Sequence, residues 1–294
     1  MNRESSLVAA FVCLTISRAA LAQASPEQAS GPAADSAVIL AAGDIASCSS
    51  GAPSTARLLD SLQGQIIVIG DAAYRTSRDP NPYLTCYDST WGRHLNRTRV
   101  AMGNHDYEPR HVRQYFSYFG DAAGPQPGGY YSNTAGSWFV ITLNSNLDLG
   151  PKSRQGRWLA QELAASTTKC TMVVMHHPRF SSGPHTPYWT ARSVFRALDS
   201  AGVDVLLTAH DHIYERFAPM NDEGKRDDHG VRQFIVGTGG SGLYAITRAA
   251  TNSEARTDEN FGILKLTLRP DSYAWEFIPV RPDGFTDSGT DSCR

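Results

Sequence analysis

Five short segments of this chain end in residues that can bind a cation or a proton: Gly43-Asp44, Gly70-Asp71-Ala72-Ala73-Tyr74, Gly103-Asn104-His105-Asp106, Val173-Val174-Met175-His176 and Ala209-His210-Asp211-His212. Taken singly each is weak, because a Gly-Asp or Gly-Asn-His stretch usually marks a plain turn. Five of them, in this order and each closing an apolar run, are hard to reconcile with chance. Their donors are carboxylate, amide, phenol and imidazole, which suit divalent and trivalent first-row metals. Where such donors gather two cations roughly 3.5–4 Å apart, the pair can clamp an in-line displacement and lower the pKa of a shared water toward about 7. A metal-bound hydroxide is then the nucleophile, and no serine or cysteine nucleophile is required.

The elements that must position these residues are legible as well. Val38-Ile39-Leu40 leads to Asp44, Ile66-Ile67-Val68-Ile69 to Asp71 and Val100-Ala101-Met102 to Asn104; Met172-Val173-Val174-Met175 leads to His176 and Val203-Asp204-Val205-Leu206-Leu207 to His210. Runs this short and apolar suit strands buried on both faces. Between them lie helical patterns: Val112, Tyr115, Phe116 and Phe119; Trp158, Leu159 and Leu163; and Val194, Phe195 and Leu198, with Gly202 placed to end the last helix. Strand–helix alternation implies a layered α/β architecture, in which ligands bind beyond the C-terminal ends of the strands. Five strands are therefore expected to deliver polar residues to one edge. In the C-terminal third, Phe234-Ile235-Val236, Ile263–Leu268 and Tyr273–Phe277 lack intervening helices and predict an antiparallel portion.

Taken together, the five segments resemble the metal-binding motifs of calcineurin-like metallophosphoesterases. Tyr74 and the stretch Ala209-His210-Asp211-His212-Ile213-Tyr214-Glu215-Arg216 resemble the purple acid phosphatase branch, and the likeness spans about residues 38 to 280. The resemblance implies an α/β fold, a four-layer sandwich of two mixed β-sheets flanked by helices. It also implies two metal ions bridged by Asp71, with Asp44, Tyr74 and His212 completing one shell and Asn104, His176 and His210 the other. A phenolate ligand favours Fe(III) at the Tyr74 site, leaving Fe(II), Zn or Mn for the second. His105 is the preferred proton donor to the leaving alkoxide, with Asp106 to orient it. His185 resembles a second substrate-binding histidine. Two positions depart from the family pattern: Ala46 stands where other metallophosphoesterases carry a ligating His, so that Tyr74 is the needed replacement, and Ala209 stands where the last motif begins with Gly.

Other chemistry-bearing residues have plainer readings. His210 and His212 alternate like strand neighbours, and share a site only if the chain turns there, which Asp211 can support. His177 should point away from the site, and His94, His111 and His229 match no motif and are expected in solvent. The Gly237–Gly242 stretch lacks a Gly-Lys-Ser/Thr ending and reads as a tight turn near the site rather than a phosphate loop. Asn96-Arg97-Thr98 is a glycosylation sequon, relevant only in a glycosylating host. Tyr130, Tyr131 and Trp138 could line a cleft or pack the core equally well.

Composition constrains the setting. The chain has 294 residues, 41% hydrophobic and 19% charged, with a formal net charge of −2, so nothing draws it to nucleic acid or an anionic membrane. Residues 1–22 read as a signal peptide: Arg3, the apolar core Leu7–Leu14 and a small-residue cleavage site at Ala20-Leu21-Ala22. Arg18 interrupts too early for a membrane anchor, which needs roughly 18 or more apolar residues. Residues 23–36 read as a disordered leader, and 37–294 as the metallophosphoesterase domain. Removal of Cys13 leaves Cys48, Cys86, Cys170 and Cys293, an even number that suits a secreted or periplasmic, oxidising location. Three pairings are open; Cys48–Cys86 and Cys170–Cys293 are preferred, because the first would join two loops bordering the site and the second would pin the C-terminus. The function expected is hydrolysis of small phosphate monoesters. A phosphodiesterase acting on nucleotides or phospholipid headgroups, and a non-catalytic metal- or phosphate-binding protein, are the alternatives.

Overall fold

Each of the apolar runs forms a strand. The computed structural model describes Met1 and residues 35–48, 51–75, 81–185, 188 and 190–294; apart from Met1, the signal segment and the leader up to residue 34 lie outside the described residues. In chain order the first half comprises β1 (Ala37–Ala42), α1 (Ala52–Ser61), β2 (Gln65–Ile69), β3 (Thr98–Ala101), α2 (His111–Phe119), β4 (Tyr131–Ala135), β5 (Trp138–Thr142) and α3 (Arg154–Ala165). The second half comprises β6 (Thr171–Val174), α4 (Ala191–Ser200), β7 (Val205–Thr208), β8 (Tyr214–Phe217), β9 (Arg232–Val236), β10 (Ser253–Thr257), β11 (Gly262–Leu268), β12 (Ser272–Pro279) and β13 (Asp287–Ser292).

Two mixed sheets result. The first has the order β13-β12-β11-β1-β2-β3, and the second β10-β8-β9-β7-β6-β5-β4. In the first, β1, β2 and β3 run parallel and β11 joins β1 antiparallel. In the second, β5, β6, β7 and β9 are parallel. The C-terminal third is antiparallel through β11, β12 and β13, as expected. β9 departs from that expectation: it runs antiparallel to β8 but parallel to β7, because β8 turns back directly after the His212 segment and β9 returns beside β7.

Alternation along the strands makes the layers. Met172, Val174, Val205 and Leu207 enter the core shared with Ile39, Ala41, Ile67 and Val100 of the first sheet. Val173 and Leu206, on the opposite face, pack with Leu159 of α3 and Val194, Phe195 and Leu198 of α4. α1 contributes Ala52, Ala56 and Leu59 to the first core, and α2 contributes Tyr115, Phe116 and Phe119. Ser153 caps α3 by accepting from Gly156 N at 2.9 Å. α4 stops at Gly202, whose φ of +75° a side chain rarely adopts.

Candidate metal centre

The site is built where the parallel strands of both sheets end. Asp44, Asp71 and His210 all take left-handed backbone conformations, with φ of 58°, 50° and 69°. For a non-glycine residue this costs about 1–3 kcal/mol and persists only where the surroundings enforce it. Here the enforcement is visible. Beyond β1 and β2 the chains continue side by side: Asp44 N donates to Gly70 O (3.1 Å), Ile45 N to Asp71 O (3.0 Å), Ala46 N to Ala72 O (3.1 Å) and Tyr74 N to Ala46 O (2.9 Å). The preceding glycines allow close approach. A Cβ at Gly103 would lie 2.1 Å from Asp71 Oδ1, and one at Gly70 would lie 2.5 Å from His176 Nδ1. A Cβ at Gly43 would meet the Ala209 side chain at 2.6 Å, so a small residue is needed on both sides of that contact.

Six of the seven candidate ligands meet in two groups. In the first, Tyr74 Oη donates to Asp44 Oδ1 at 2.8 Å and lies 3.1 Å from His212 Nε2, itself 3.3 Å from Asp44 Oδ1. In the second, His176 Nε2 lies 3.2 Å from Asn104 Oδ1 and 3.4 Å from Asp71 Oδ2. Ligand atoms of Asp44, Asp71 and His176 all fall within 4.8 Å of one another, so the groups adjoin. The seventh, His210, packs edge-on against His176 with centroids 5.1 Å apart. Each hinge of the site is tied down from behind. His176 Nδ1 bonds Ile69 O (2.8 Å) and His212 Nδ1 bonds Gly242 O (2.6 Å), which leaves both Nε2 atoms for the site. Ala46, buried in a bridge with Ala73, brings no donor, and Tyr74 Oη stands beside Asp44 instead.

Electrostatics favour cations here. Burial alone would raise Asp44 and Asp71, yet His212 beside Asp44 and His176 beside Asp71 hold both below the usual carboxylate value. Burial would lower His176, but the Asp71 carboxylate lifts it to about 9. Burial and the nearby His176 push His210 down to about 4, which keeps its lone pair free at neutral pH. Burial, then Asp44 and Asp71, raises the Tyr74 phenol well above 10. Without a cation, imidazolium protons must balance two carboxylates with almost no exposure. Cations would displace those protons, and every donor is oxygen or nitrogen, so the residues fit a pair of first-row metals. The cluster of Cys170, Asp204 and Cys293 is of another kind, because its two sulfurs form a disulfide; Cys48 and Cys86 form the second.

The residues expected to touch substrate are placed unequally. His105 sits at the mouth, 41% exposed, with Nε2 4.0 Å from Asp71 Oδ2 and its ring 4.7 Å from Tyr74. Asp106 does not orient it: Asp106 Oδ2 accepts from Gly103 N (2.9 Å) and Oδ1 from Tyr83 Oη (2.8 Å), so this buried carboxylate braces the loop backbone. Burial, then Asp71, raises Asp106 to about 6. The acid beside the His105 ring is the exposed Glu108, at 3.4 Å. His185 reaches the same rim, with its ring 4.7 Å from His210 and its Nδ1 2.9 Å from Asp211 Oδ1.

Of the remaining sequence expectations, those for His111 and His94 are corrected and those for His229, His177 and the Gly237–Gly242 turn are met. His111 is buried, with Nδ1 2.8 Å from His105 O. The visible signal was its place four residues before Tyr115 and eight before Phe119 on the buried face of α2. His94 is half-buried against Asp60, whereas His229 is exposed. His177 lies behind the site, stacked on Tyr188 at 4.2 Å and bonded to Ser145 Oγ at 2.8 Å. The Gly237–Gly242 turn wraps Asp44, with Ser241 N donating to Asp44 O at 2.8 Å. Trp138 and Tyr131 are structural, bonded to Arg269 O and Val100 O, while Tyr130 packs on Trp158 in the wall of a cleft of about 750 Å³ that also includes Tyr107. Sequence patterning gave no hint of Tyr244, stacked on His212 at 4.0 Å, or of Asn146, whose Nδ2 holds Met102 O and Gly103 O behind Asn104.

Comparison with known proteins agrees with this geometry. Residues 37–214 match the family model for calcineurin-like phosphoesterases. The chain is 29% identical over 213 residues to purple acid phosphatase 21 of Arabidopsis thaliana, covering 64% of this chain and 47% of that protein. It is 29% identical over 144 residues to an acid phosphatase of Aspergillus ficuum, covering 46% and 24%. The chain thus spans about half the length, or less, of these curated relatives. Among solved structures, the purple acid phosphatase PPD1 from yellow lupin (Lupinus luteus) seeds superposes with a TM-score of 0.73 at 18% identity, covering 87% of this chain and 54% of that one. GAP50, the anchor in the inner membrane complex of Plasmodium, superposes at 0.66 and 14% identity, covering 88% and 89%. Both share the sandwich fold.

Proposed function

This chain belongs to the calcineurin-like phosphoesterase family, and from that premise we propose that it is a binuclear-metal phosphoesterase, exported to the periplasm or beyond, that hydrolyses small phosphate monoesters. The observation that carries the reading is the convergence of Asp44, Tyr74 and His212 on one side and Asp71, Asn104 and His176 on the other, at separations of 2.8–3.4 Å. Asp44, Tyr74, His212 and Asp71 would hold one cation; Asp71, Asn104, His176 and His210 the second. When bound, the pair supplies positive charge to the phosphoryl oxygens and makes water acidic enough to attack at neutral pH.

The chain's own residues do the rest. Burial and carboxylate neighbours keep the Tyr74 phenol protonated, so only a hard, highly charged cation would draw off its proton; this supports Fe(III) there, with Fe(II), Zn or Mn in the other place. His105, exposed above Asp71, gives a proton to the leaving oxygen. His177 and His210, kept neutral by burial, add no repelling charge toward the cations. Export is supported by the signal-like residues 1–22 and by two disulfides, which persist in oxidising compartments. A matched assay tests the substrate class. Metal-loaded protein should turn over p-nitrophenyl phosphate faster than its bis ester; a strong preference for the bis ester would make it a diesterase. No turnover across a broad phosphoester panel would leave a binding protein on this scaffold.

A further inference from the structure

Two histidines stand at the mouth of the centre, His105 and His185; the His185 ring bonds the buried carboxylate of Asp211 at 2.9 Å, whereas the buried carboxylate nearest the His105 ring, Asp71, lies 4.0 Å away. Asp211 lies between His210 and His212, and its carboxylate contacts the 181–185 loop. It has no solvent exposure. Its Oδ1 accepts from the His185 backbone N (3.1 Å) and lies 2.9 Å from the His185 Nδ1; its Oδ2 accepts from Ser181 Oγ (2.5 Å). Gly183 packs flat on the carboxylate, where a Cβ would lie 2.3 Å from Asp211 Cγ. The Asp211 backbone is fixed in turn, since its N donates to Ala209 O (2.8 Å) and its O accepts from Ile213 N (2.8 Å).

We propose that Asp211 is the positioning residue for His185. It engages Nδ1, so that Nε2 is the atom the ring presents to the phosphoryl group. This rests on the phosphoesterase reading above. The ring is 43% exposed, 4.7 Å from His210 and 5.3 Å from Tyr244, so it stands at the entrance and not in the core. A buried, doubly occupied carboxylate fixes a ring far better than an exposed one such as Glu108, which faces His105 at 46% exposure. The loop's path has an independent hold, because Glu215 accepts from Ser182 N (2.8 Å) and Ser182 Oγ (2.5 Å). The loop can therefore be perturbed at Glu215 without touching the Asp211–His185 contact, and Asp211→Asn keeps the acceptors that Asp211→Ala removes.

The test is a double-mutant cycle on metal-loaded enzyme, with metal content measured for every variant. His185→Ala is expected to lower kcat/KM roughly tenfold to a hundredfold. Asp211→Ala should match it, the double variant should be no worse than either, and Asp211→Asn, which keeps an acceptor for Nδ1, should recover most of the loss. Glu215→Gln should stay within about twofold of wild type. Independently of turnover, the downfield Nδ1–H proton resonance of His185 should vanish in Asp211→Ala and persist in Glu215→Gln. Additive losses, metal loss in Asp211→Ala, or an equal loss in Glu215→Gln would overturn the positioning role. An inactive wild type with the resonance intact would overturn the enzymatic reading alone.

Discussion

Tyr74 is the residue on which the proposed iron assignment rests. With Ala46 unable to bind a cation and Tyr74 Oη 2.8 Å from Asp44 Oδ1, the phenol is the donor within reach. Protein loaded with iron should show a visible charge-transfer band that Tyr74→Phe abolishes while other metals still bind; a colourless iron-loaded wild type would remove the phenolate from the ligand set. Asp106 makes a different prediction. Its carboxyl is raised from 3.8 to about 6 in the folded chain. As pH rises through 3.8 the unfolded chain loses this proton first, so stability falls between about pH 4 and 6 and stays lower above, by up to about 3 kcal/mol. In chelated protein, Asp106→Asn should therefore melt higher than wild type at pH 7 and show no such gain at pH 4. An equal effect at both pH values would contradict this origin. Residue types and spacing were enough to gather the donors, but not to say which way Asp106 and Asp211 point. Asp106 follows His105 and bonds Tyr83, Asp211 follows His210 and bonds His185, and each partner comes from a segment that only the fold brings near.

Strand ends do the positioning, and their cost is local. Glycines at 43, 70 and 103 let three chain turns pack within van der Waals contact of the carboxylates and imidazoles. Gly103→Ala would drive a methyl group into Asp71, 2.1 Å from Oδ1 and 2.3 Å from N. It should cost about 2–4 kcal/mol of stability and reduce bound metal from two ions per chain, read by elemental analysis; unchanged metal content would show that the turn can relax. The strands themselves were legible because they are uniformly apolar and end in Asp, Asn or His. β9 was misassigned in part, because Phe234-Ile235-Val236 is equally apolar whichever neighbour it pairs with. Periodicity carries no sign of strand direction. The helices followed their spacing closely, and the same spacing would have placed His111 inside had it been applied to a polar residue.

At the scale of the whole molecule, two sheets close over one another and meet at the candidate metal centre, and the disulfides fasten the two ends of this arrangement differently. Cys170 immediately precedes β6, at the end remote from His176, and binds Cys293 just past β13, where Arg294 N also donates to Asp204 Oδ1 at 2.8 Å. Cys48 lies two residues beyond Ala46 and joins Cys86 beside the site. Replacing Cys170 and Cys293 with serine should cost about 2–5 kcal/mol in denaturant unfolding with metal content unchanged, whereas replacing Cys48 and Cys86 should also weaken metal retention. Equal metal loss in both would mean that the C-terminal strand supports the centre. The preference for Cys48–Cys86 followed from two loops expected to border the site, and that for Cys170–Cys293 from its pinning the C-terminus; Arg294 and Asp204 gave no such signal, since their contact exists only once β13 has folded back. We propose that these sheets hold two catalytic cations. This is tested most directly by phosphate release from p-nitrophenyl phosphate, measured on chelator-stripped protein as cation is titrated back. Activity should be lost on stripping and return fully at two equivalents per chain. A rate indifferent to stripping would contradict it.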